Sequence, residues 1–441
     1  IDLSNVTITN ANLTNSGLTN IKTGGVKGTT AFLKQNYMQR NGYIIGNGVD
    51  LSGADLSGQN LASAYLTNTD ITNATLTSTI LTNVRSGGNM RYNATTKARM
   101  PAKYTIRGTY ILGPGVDVSG ENFTGLDISN TFLSGSDFTN AVFTNMRSGG
   151  IEMLVSNPIV FGEPPESNLG NNFAYGYAFL NGYIVGPNVD LSGANFAGVF
   201  VSSVDVSGAN LTNAVFTSIT SRHVYGTPSA ITSGYKVTAG HIIGPRLNMT
   251  GYDFTNGDFS GADITGSVLT GAIFTNTSSG NVSGSADTLF TTTTVPTNVK
   301  YQLSNGYIVG PSVNLSNSDL SGVDISGINL SGATLINSKS GKVVHGSTTV
   351  LPTNYVFIDN FNYIIGPYVN FTGVDFSGAD FRGTNLTGAN FGSANLYNVK
   401  SGSIVGVPGQ LPTSFSFVSG FFVGPSTDLS GADLSGGDLS G

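Results

Sequence analysis

From Leu51 onward a large apolar residue returns at every fifth position: Leu51, Leu56, Leu61, Leu66, Ile71, Leu76 and Leu81. The same column runs from Val118 to Phe143, Leu191 to Phe216, Met249 to Phe274, Leu315 to Leu335, Phe371 to Leu396 and Leu429 to Leu439. A period of five fits neither the 3.6-residue helix nor the two-residue strand. It suits a chain that turns a corner every five residues. Two places before each centre stands a smaller, mostly apolar residue, such as Val49, Ala54, Ala64 or Ala74. Two places after it, in most pentads, stands Gly or Asn, as at Gly53, Gly58, Asn68 and Asn73. The centre and the small residue are expected to point inward and the other three outward. Gly or Asn supplies the positive φ of a type II-like corner. Four such corners close a coil of about 20 residues, and stacked coils pair their backbones at about the 4.8 Å strand spacing.

The pentads "GADLS", "GANFA", "GADIT", "GADFR" and "GANLT" resemble the pentapeptide-repeat family, whose pattern is A-[DN]-L-x-x. The resemblance implies an all-β fold, a right-handed quadrilateral β-helix (solenoid) with coils of about 20 residues. Glu121, Tyr252 and Ile328 depart from the pattern at the small inward position and are expected to force local bulging. Members of the family do unrelated jobs, so the resemblance fixes the fold far better than the function.

A second, longer period interrupts the pentads. "NGYIIGNGVDLSGA" at 41–54 returns as "NGYIVGPNVDLSGA", "NGYIVGPSVNLSNS", "FNYIIGPYVNFTGV" and further variants. Apolar residues alternate in these recurrent non-pentad insertions, as at Phe415 and Phe417, which predicts short strands. Gly186-Pro187 and its equivalents are turn signals. Each module therefore reads as about one and a half pentad coils plus a strand-turn-strand coil, in all about 56 to 73 residues. Modules start near 1, 43, 110, 183, 241, 307, 363 and 422, which makes 1–441 one continuous β-solenoid of about seven to eight modules. Segments 85–108 and 147–180 are the longest and least regular insertions, and surface loops are expected there.

Composition narrows the classes. Thirty-nine per cent hydrophobic residues and a net charge of −6 over 441 residues do not describe a disordered chain. Nineteen Lys+Arg against 25 Asp+Glu exclude a basic nucleic-acid surface, and the same balance is too weak for the acidic face of a DNA mimic. No apolar run approaches the roughly 20 residues that span a bilayer. The absence of Cys removes disulfides, thiolate metal sites and cysteine nucleophiles; it fits an exposed oxidising setting, and other compartments as well. Ile1 and "DLSGADLSGGDLSG" at 428–441 both lie inside the repeat, so both ends read as cut from something longer, or processed.

The chemistry available is thin. His223, His241 and His345 all sit in non-pentad segments, and His241 replaces the Tyr of "GYIVG", which reads as a structural aromatic position. G-x-S-x-G, G-x-G-x-x-G and P-loop motifs are absent. No catalytic, cofactor-binding or metal-ligating residue is assigned, and an enzyme is not expected. The Asp residues before the centres (Asp50, Asp55, Asp70, Asp190, Asp253, Asp258, Asp263) allow two readings. Stacked on one face they could hold Ca²⁺ through oxygen ligands; as single side chains they would bond the backbone near the corner. Tyr43, Tyr110, Tyr183, Tyr307 and Tyr363 recur at one module position and suit the edge of the core. Phe371 and Phe391, four pentads apart, should stack as an internal ladder. Asn12-Leu13-Thr14 and Asn210-Leu211-Thr212 match the glycan-acceptor pattern, which this repeat generates whenever Asn precedes a centre and Ser or Thr follows it.

A long, low-charge solenoid with no visible caps leaves backbone N–H and C=O groups open to any matching edge. The expected function is a structural, non-enzymatic repeat protein that forms or decorates an extracellular, cell-surface or virion-surface fibre by head-to-tail self-association. The alternative is a surface binding module, adhesin-like or ice-binding; the Thr-rich stretch 67–82 invites the latter, although most modules mix Ser, Thr, Ala and Asn at those slots. The expected partner is another copy of the chain, with no nucleic acid and no membrane span. If every fifth residue faces a dry core, Leu211→Asp buries an unpaired carboxylate and should cost several kcal/mol, on the order of the largest single-residue effects. Urea unfolding of that variant checks it, and a midpoint equal to the parent's would refute an inward Leu211.

Overall fold

The building unit is the four-residue corner. At Leu51-Ser52-Gly53-Ala54 the Ala54 amide donates to the Leu51 carbonyl at 3.0 Å, and Gly53 takes a φ of 72°. A positive φ at the third residue alone defines a type II turn. Asn68 (58°) and Asn73 (59°) play the part of Gly53 in later corners. Ser63 and Ser78, both at 60°, do so as well, so the corner accepts Ser where the pattern of the sequence pointed to Gly and Asn. The computed structural model of the chain describes residues 1–93, 98–153, 177–284, 290–291, 300–358 and 361–435. Among them there is no helix.

Corners repeat, and the coils they close pair with one another. Leu51 N donates to Asp70 O (2.7 Å), Gly53 N to Thr72 O (2.8 Å) and Asp70 N to Val49 O (3.0 Å). The bridges Asp50↔Asp70, Asp55↔Thr75, Asn60↔Ile80 and Tyr65↔Arg85 are all parallel and all twenty residues apart. Each coil thus satisfies its backbone on the next, which is what lets so much main chain lie against a core without orphaned polar groups.

The chain divides into two compact units, residues 1–216 with 223–233, and residues 217–222 with 234–441. In the first unit Leu51, Leu56, Leu61, Leu66, Ile71, Leu76 and Leu81 are at most 1% exposed, and so are the small partners Val49, Ala54, Ala64 and Ala74. Leu211 is 2% exposed. Rings twenty residues apart stack along the bore: Phe123 on Phe143 at 5.7 Å and Phe196 on Phe216 at 6.0 Å between centroids. The second unit repeats the device with Phe254 on Phe274 (5.5 Å) and Phe371 on Phe391 (5.0 Å), the last pair as expected from the sequence.

The non-pentad insertions fold as antiparallel hairpins. The first unit holds Met38–Arg40 with Tyr43–Ile45, Thr105–Arg107 with Tyr110–Leu112, and Ala178–Leu180 with Tyr183–Val185. The second holds Lys236–Thr238 with His241–Ile243, Lys300–Ser304 with Tyr307–Val309, Val356–Ile358 with Tyr363–Ile365, and Ser416–Val418 with Phe421–Val423. Between Ile358 and Tyr363 the loop has four residues, and at Gly108-Thr109 only Gly108 (56°) has a positive φ. The other described turns are two-residue loops with both φ positive, as at Asn41-Gly42 (44° and 71°), Asn181-Gly182 and Asn305-Gly306. These are type I′ turns, whose twist matches that of the paired strands. Gly186-Pro187 is therefore not the hairpin turn. Pro187-Asn188 (φ 58° at Asn188) is the next corner, returning the chain to pentads.

The expected surface loops and bulges are corrected in part. Segment 85–108 is largely built into the solenoid, since Arg91 bridges Asp70, Arg99 bridges Thr75 and Thr105–Arg107 is a hairpin strand. Within 147–180, Arg147 and Glu152 continue the ladder onto Asp127 and Phe132, while 154–176 lie outside the described residues. Glu121 and Tyr252 cause no bulge, because Asn122↔Val142 and Asp253↔Ile273 keep the twenty-residue step. At Ile328, fully buried, the facing coil does carry one extra residue (Asn329↔Val350).

At Gly193 (φ 71°) and Gly378 (φ 79°) an added Cβ would meet nothing within 4 Å, so only the backbone conformation opposes a side chain there. Gly→Val at either position should destabilise by about 1–3 kcal/mol, and Gly→Asn by clearly less, because Asn tolerates the left-handed region and β-branched residues do not. Thermal melts of the four variants check this; equal losses for Val and Asn would show that these glycines are not corner residues.

Candidate functional surface

The most regular polar feature is the residue before each centre. In the first unit Asp50, Asp55, Asn60 and Asp70 each accept, through Oδ1, the backbone N–H two residues on, at 2.9, 3.1, 2.9 and 2.9 Å. In the second unit Asp253, Asp258, Asp263, Asp319 and Asp324 do the same. Each side chain caps the corner that follows it. The hydrogen bonds set the acidity. The Ser57 hydroxyl and N–H hold the exposed Asp55 carboxyl below its ordinary value, and Ser321 does the same for Asp319. At Asp258 burial pushes upward, but the Lys236 ammonium and the Ser260 hydroxyl and N–H outweigh it and bring the carboxyl to about 2. Glu121 moves the other way: burial raises it, with the Tyr110 hydroxyl and Arg85 opposing. Among the described residues no group of three or more His, Cys, Asp or Glu is arranged to hold a metal ion.

A base and an acid face each other at several passages from one module to the next. In the first unit Lys22 bridges Asp50, Arg85 bridges Asp117 and Arg147 bridges Asp190, the last two as ion pairs at 3.2 and 3.4 Å. In the second unit Lys400 bridges Asp428, whereas Ser278 bridges Asn314. At that last passage both the base and the acid are missing. Exposed pairs of this kind contribute about 0–1 kcal/mol each, so their weight lies in register more than in stability.

The recurrent "Y-I-[IV]-G-P" signature is consumed by packing. One strand of each hairpin adjoins an aromatic ring lying on a glycine: an added Cβ at Gly46 would stand 2.2 Å from the Tyr37 ring, and one at Gly366 would stand 2.2 Å from Tyr355. The Tyr37 hydroxyl then donates to Asn47 O (2.6 Å) and that of Tyr355 to Pro367 O (2.9 Å). A second aromatic lies over the Gly of the "SG" pair, Tyr110 over Gly87 and Tyr363 over Gly341. Tyr43, Tyr183 and Tyr307 each accept the N–H of Asp55, Asn195 and Asp319. The Ser or Thr of the pair caps the hairpin: Ile44 N donates to Thr23 Oγ1 and Ile364 N to Ser340 Oγ.

His241 is explained by the one module that breaks this rule. Arg222 stands where the others have Gly, and His241 stands where most have Tyr. Its Nδ1 is 2.7 Å from Ser221 O, and its ring stacks on Tyr252 at 4.2 Å. Tyr252 in turn accepts the Ser221 N–H at 3.0 Å. Two apparent anomalies of the sequence, Tyr252 and His241, are one compensated pair. His345 stacks on Phe357 at 3.6 Å, and His223 occupies a positive-φ position (52°).

Parallel pairing at steps of twenty over a core filled at steps of five defines a β-helical solenoid. Six stretches (47–85, 115–146, 187–218, 246–278, 312–339 and 368–400) match the family described as Pentapeptide repeats, in eight copies. Over those stretches the chain carries pentapeptide repeats. No curated protein matches it. Among solved structures, HetL of the cyanobacterium Nostoc, a pentapeptide repeat protein involved in heterocyst differentiation regulation, is 13% identical. It covers 80% of this chain and 86% of its own, at a TM-score of 0.10. Full-length QnrB1, a plasmid-mediated fluoroquinolone resistance protein, is 16% identical over 81% of this chain and 91% of its own, also at 0.10.

If the glycine is there for the ring, Gly46→Ala should cost about 1–3 kcal/mol by overpacking, and Tyr37→Leu in the same chain should recover part of the loss. Denaturant melts of the single and double variants check the coupling. Additive effects would show that ring and glycine do not press on each other.

Proposed function

We propose that this is a structural, non-enzymatic repeat protein whose right-handed, four-sided coils form or decorate an extracellular or virion-surface fibre, copies joining end to end. The observation that carries the reading is the self-complementarity of the coil. A coil presents N–H and C=O groups at the spacing the next coil requires, as between Leu51, Gly53 and Asp70, Thr72. A coil of a second copy fits that edge as well as a coil of the same chain. Such a contact is heterologous and does not close, so its product is a filament. The base-acid seams would fix the register, and the short polar side chains of the outer faces would let neighbouring rods lie close. Among the described residues the polar side chains before the centres are engaged by their own corners, which leaves little for catalysis.

Sedimentation velocity and negative-stain microscopy across a concentration series test the proposal. Rods that lengthen with concentration, without thickening, are the expected outcome. Monodisperse single copies at every concentration would overturn it and favour a lone binding rod.

A further inference from the structure

In the first unit the coils do not all keep the twenty-residue step. The step from Asp70 to Arg91 is twenty-one residues, one more than the step from Asp50 to Asp70. Beside this step lies an open recess of about 730 Å³, lined among others by Asn20, Asn47, Asn68, Asn89, Arg91 and, from the turn of the hairpin Thr105–Arg107 with Tyr110–Leu112, Thr109.

The orientation of its amides is fixed from inside. Asn68 Oδ1 accepts the Asn89 N–H at 2.8 Å, so Asn68 Nδ2 must face Asn47, whose Oδ1 accepts it at 3.0 Å. That leaves the Asn47 Nδ2 group as a donor toward the recess, with the whole Asn89 amide exposed beside it. Thr109 adds a hydroxyl from the hairpin tip. Arg91 supplies further donors, but its charge is matched by Asp70 at 3.3 Å. The lining therefore alternates donors and acceptors without a net charge. A hydroxyl group both donates and accepts, and a ligand rich in hydroxyls is the one that satisfies such a lining.

We propose that this recess binds a neutral saccharide chain. The inference is independent of the fibre reading, since a lone rod and a filament would present it equally. No aromatic platform lies among the six residues named, so affinity comes from hydrogen bonds and is modest.

The test is titration calorimetry of the full chain with maltohexaose, chitohexaose and, as an acidic control, hexagalacturonate. Saturable binding of a neutral hexamer, reduced at least tenfold in Asn89→Leu combined with Thr109→Val, is expected. Asn89 is exposed and Thr109 half-buried, and an unchanged melting temperature of the variant shows that the fold is kept; if it drops, Asn47→Leu replaces the pair. Tighter binding of the acidic hexamer, undiminished binding by the variants, or no saturable binding of either neutral hexamer would overturn the proposal.

Discussion

Everything in this structure depends on a backbone that turns left-handed once in every five residues. Without the positive φ at Gly53, Asn68 or Ser63 the chain would run on as a strand, and Leu51 and Leu56 would not both face the bore. The corner alone does not make a fold. It is the parallel ladder between coils that converts a series of turns into a body with an interior, by giving each corner's N–H and C=O a partner twenty residues away. The hydrophobic column then contributes the driving force, about 1.5–3 kcal/mol for each fully buried Leu or Phe.

The same constraint explains why the surface offers so little chemistry. A pentad has three outward positions. One is held by the corner's glycine or its substitute, and another, the Asp or Asn before the centre, accepts the N–H two residues on. Asp55, engaged this way, sits below the usual carboxylate range through its bonds to Ser57. They belong to the scaffold first. Variation is left to the insertions, where the hairpins, the base-acid seams and the amide-lined recess occur.

The hairpins show how tightly an irregular element is tied to the regular one. Each is clamped by an aromatic ring over a glycine, by a second aromatic over the "SG" glycine or its substitute, and by a Ser or Thr that accepts a strand N–H. When Arg222 replaces the glycine, the ring above becomes His241 and Tyr252 fills in from the following coil. A substitution at one contact is answered at its neighbours because the interior has no spare volume.

The five-residue column, the small partner and the Gly or Asn two places on were legible in the sequence because each is a local requirement of one corner, repeated often enough to stand out. Strand-turn-strand insertions were legible from alternation. What sequence could not show was which contacts the long-range pairing makes. "NGYIVGP" contains two turn signals, and only the ladder decides that Asn-Gly closes the hairpin while Gly-Pro begins the next corner. Glu121 and Tyr252 looked like misfits because the room made for them comes from residues more than ten positions away, Tyr110 for one and His241 for the other. The recess beside Asn89 lies next to a step lengthened by one residue, invisible until Arg91 is seen to pair with Asp70. Sequence by itself determined the period, the corners and hence the solenoid, since these are set by backbone sterics within five residues. Tertiary structure decided the register, the aromatic clamps and the shape of the outer surface, because those are set by contacts between residues twenty or more apart.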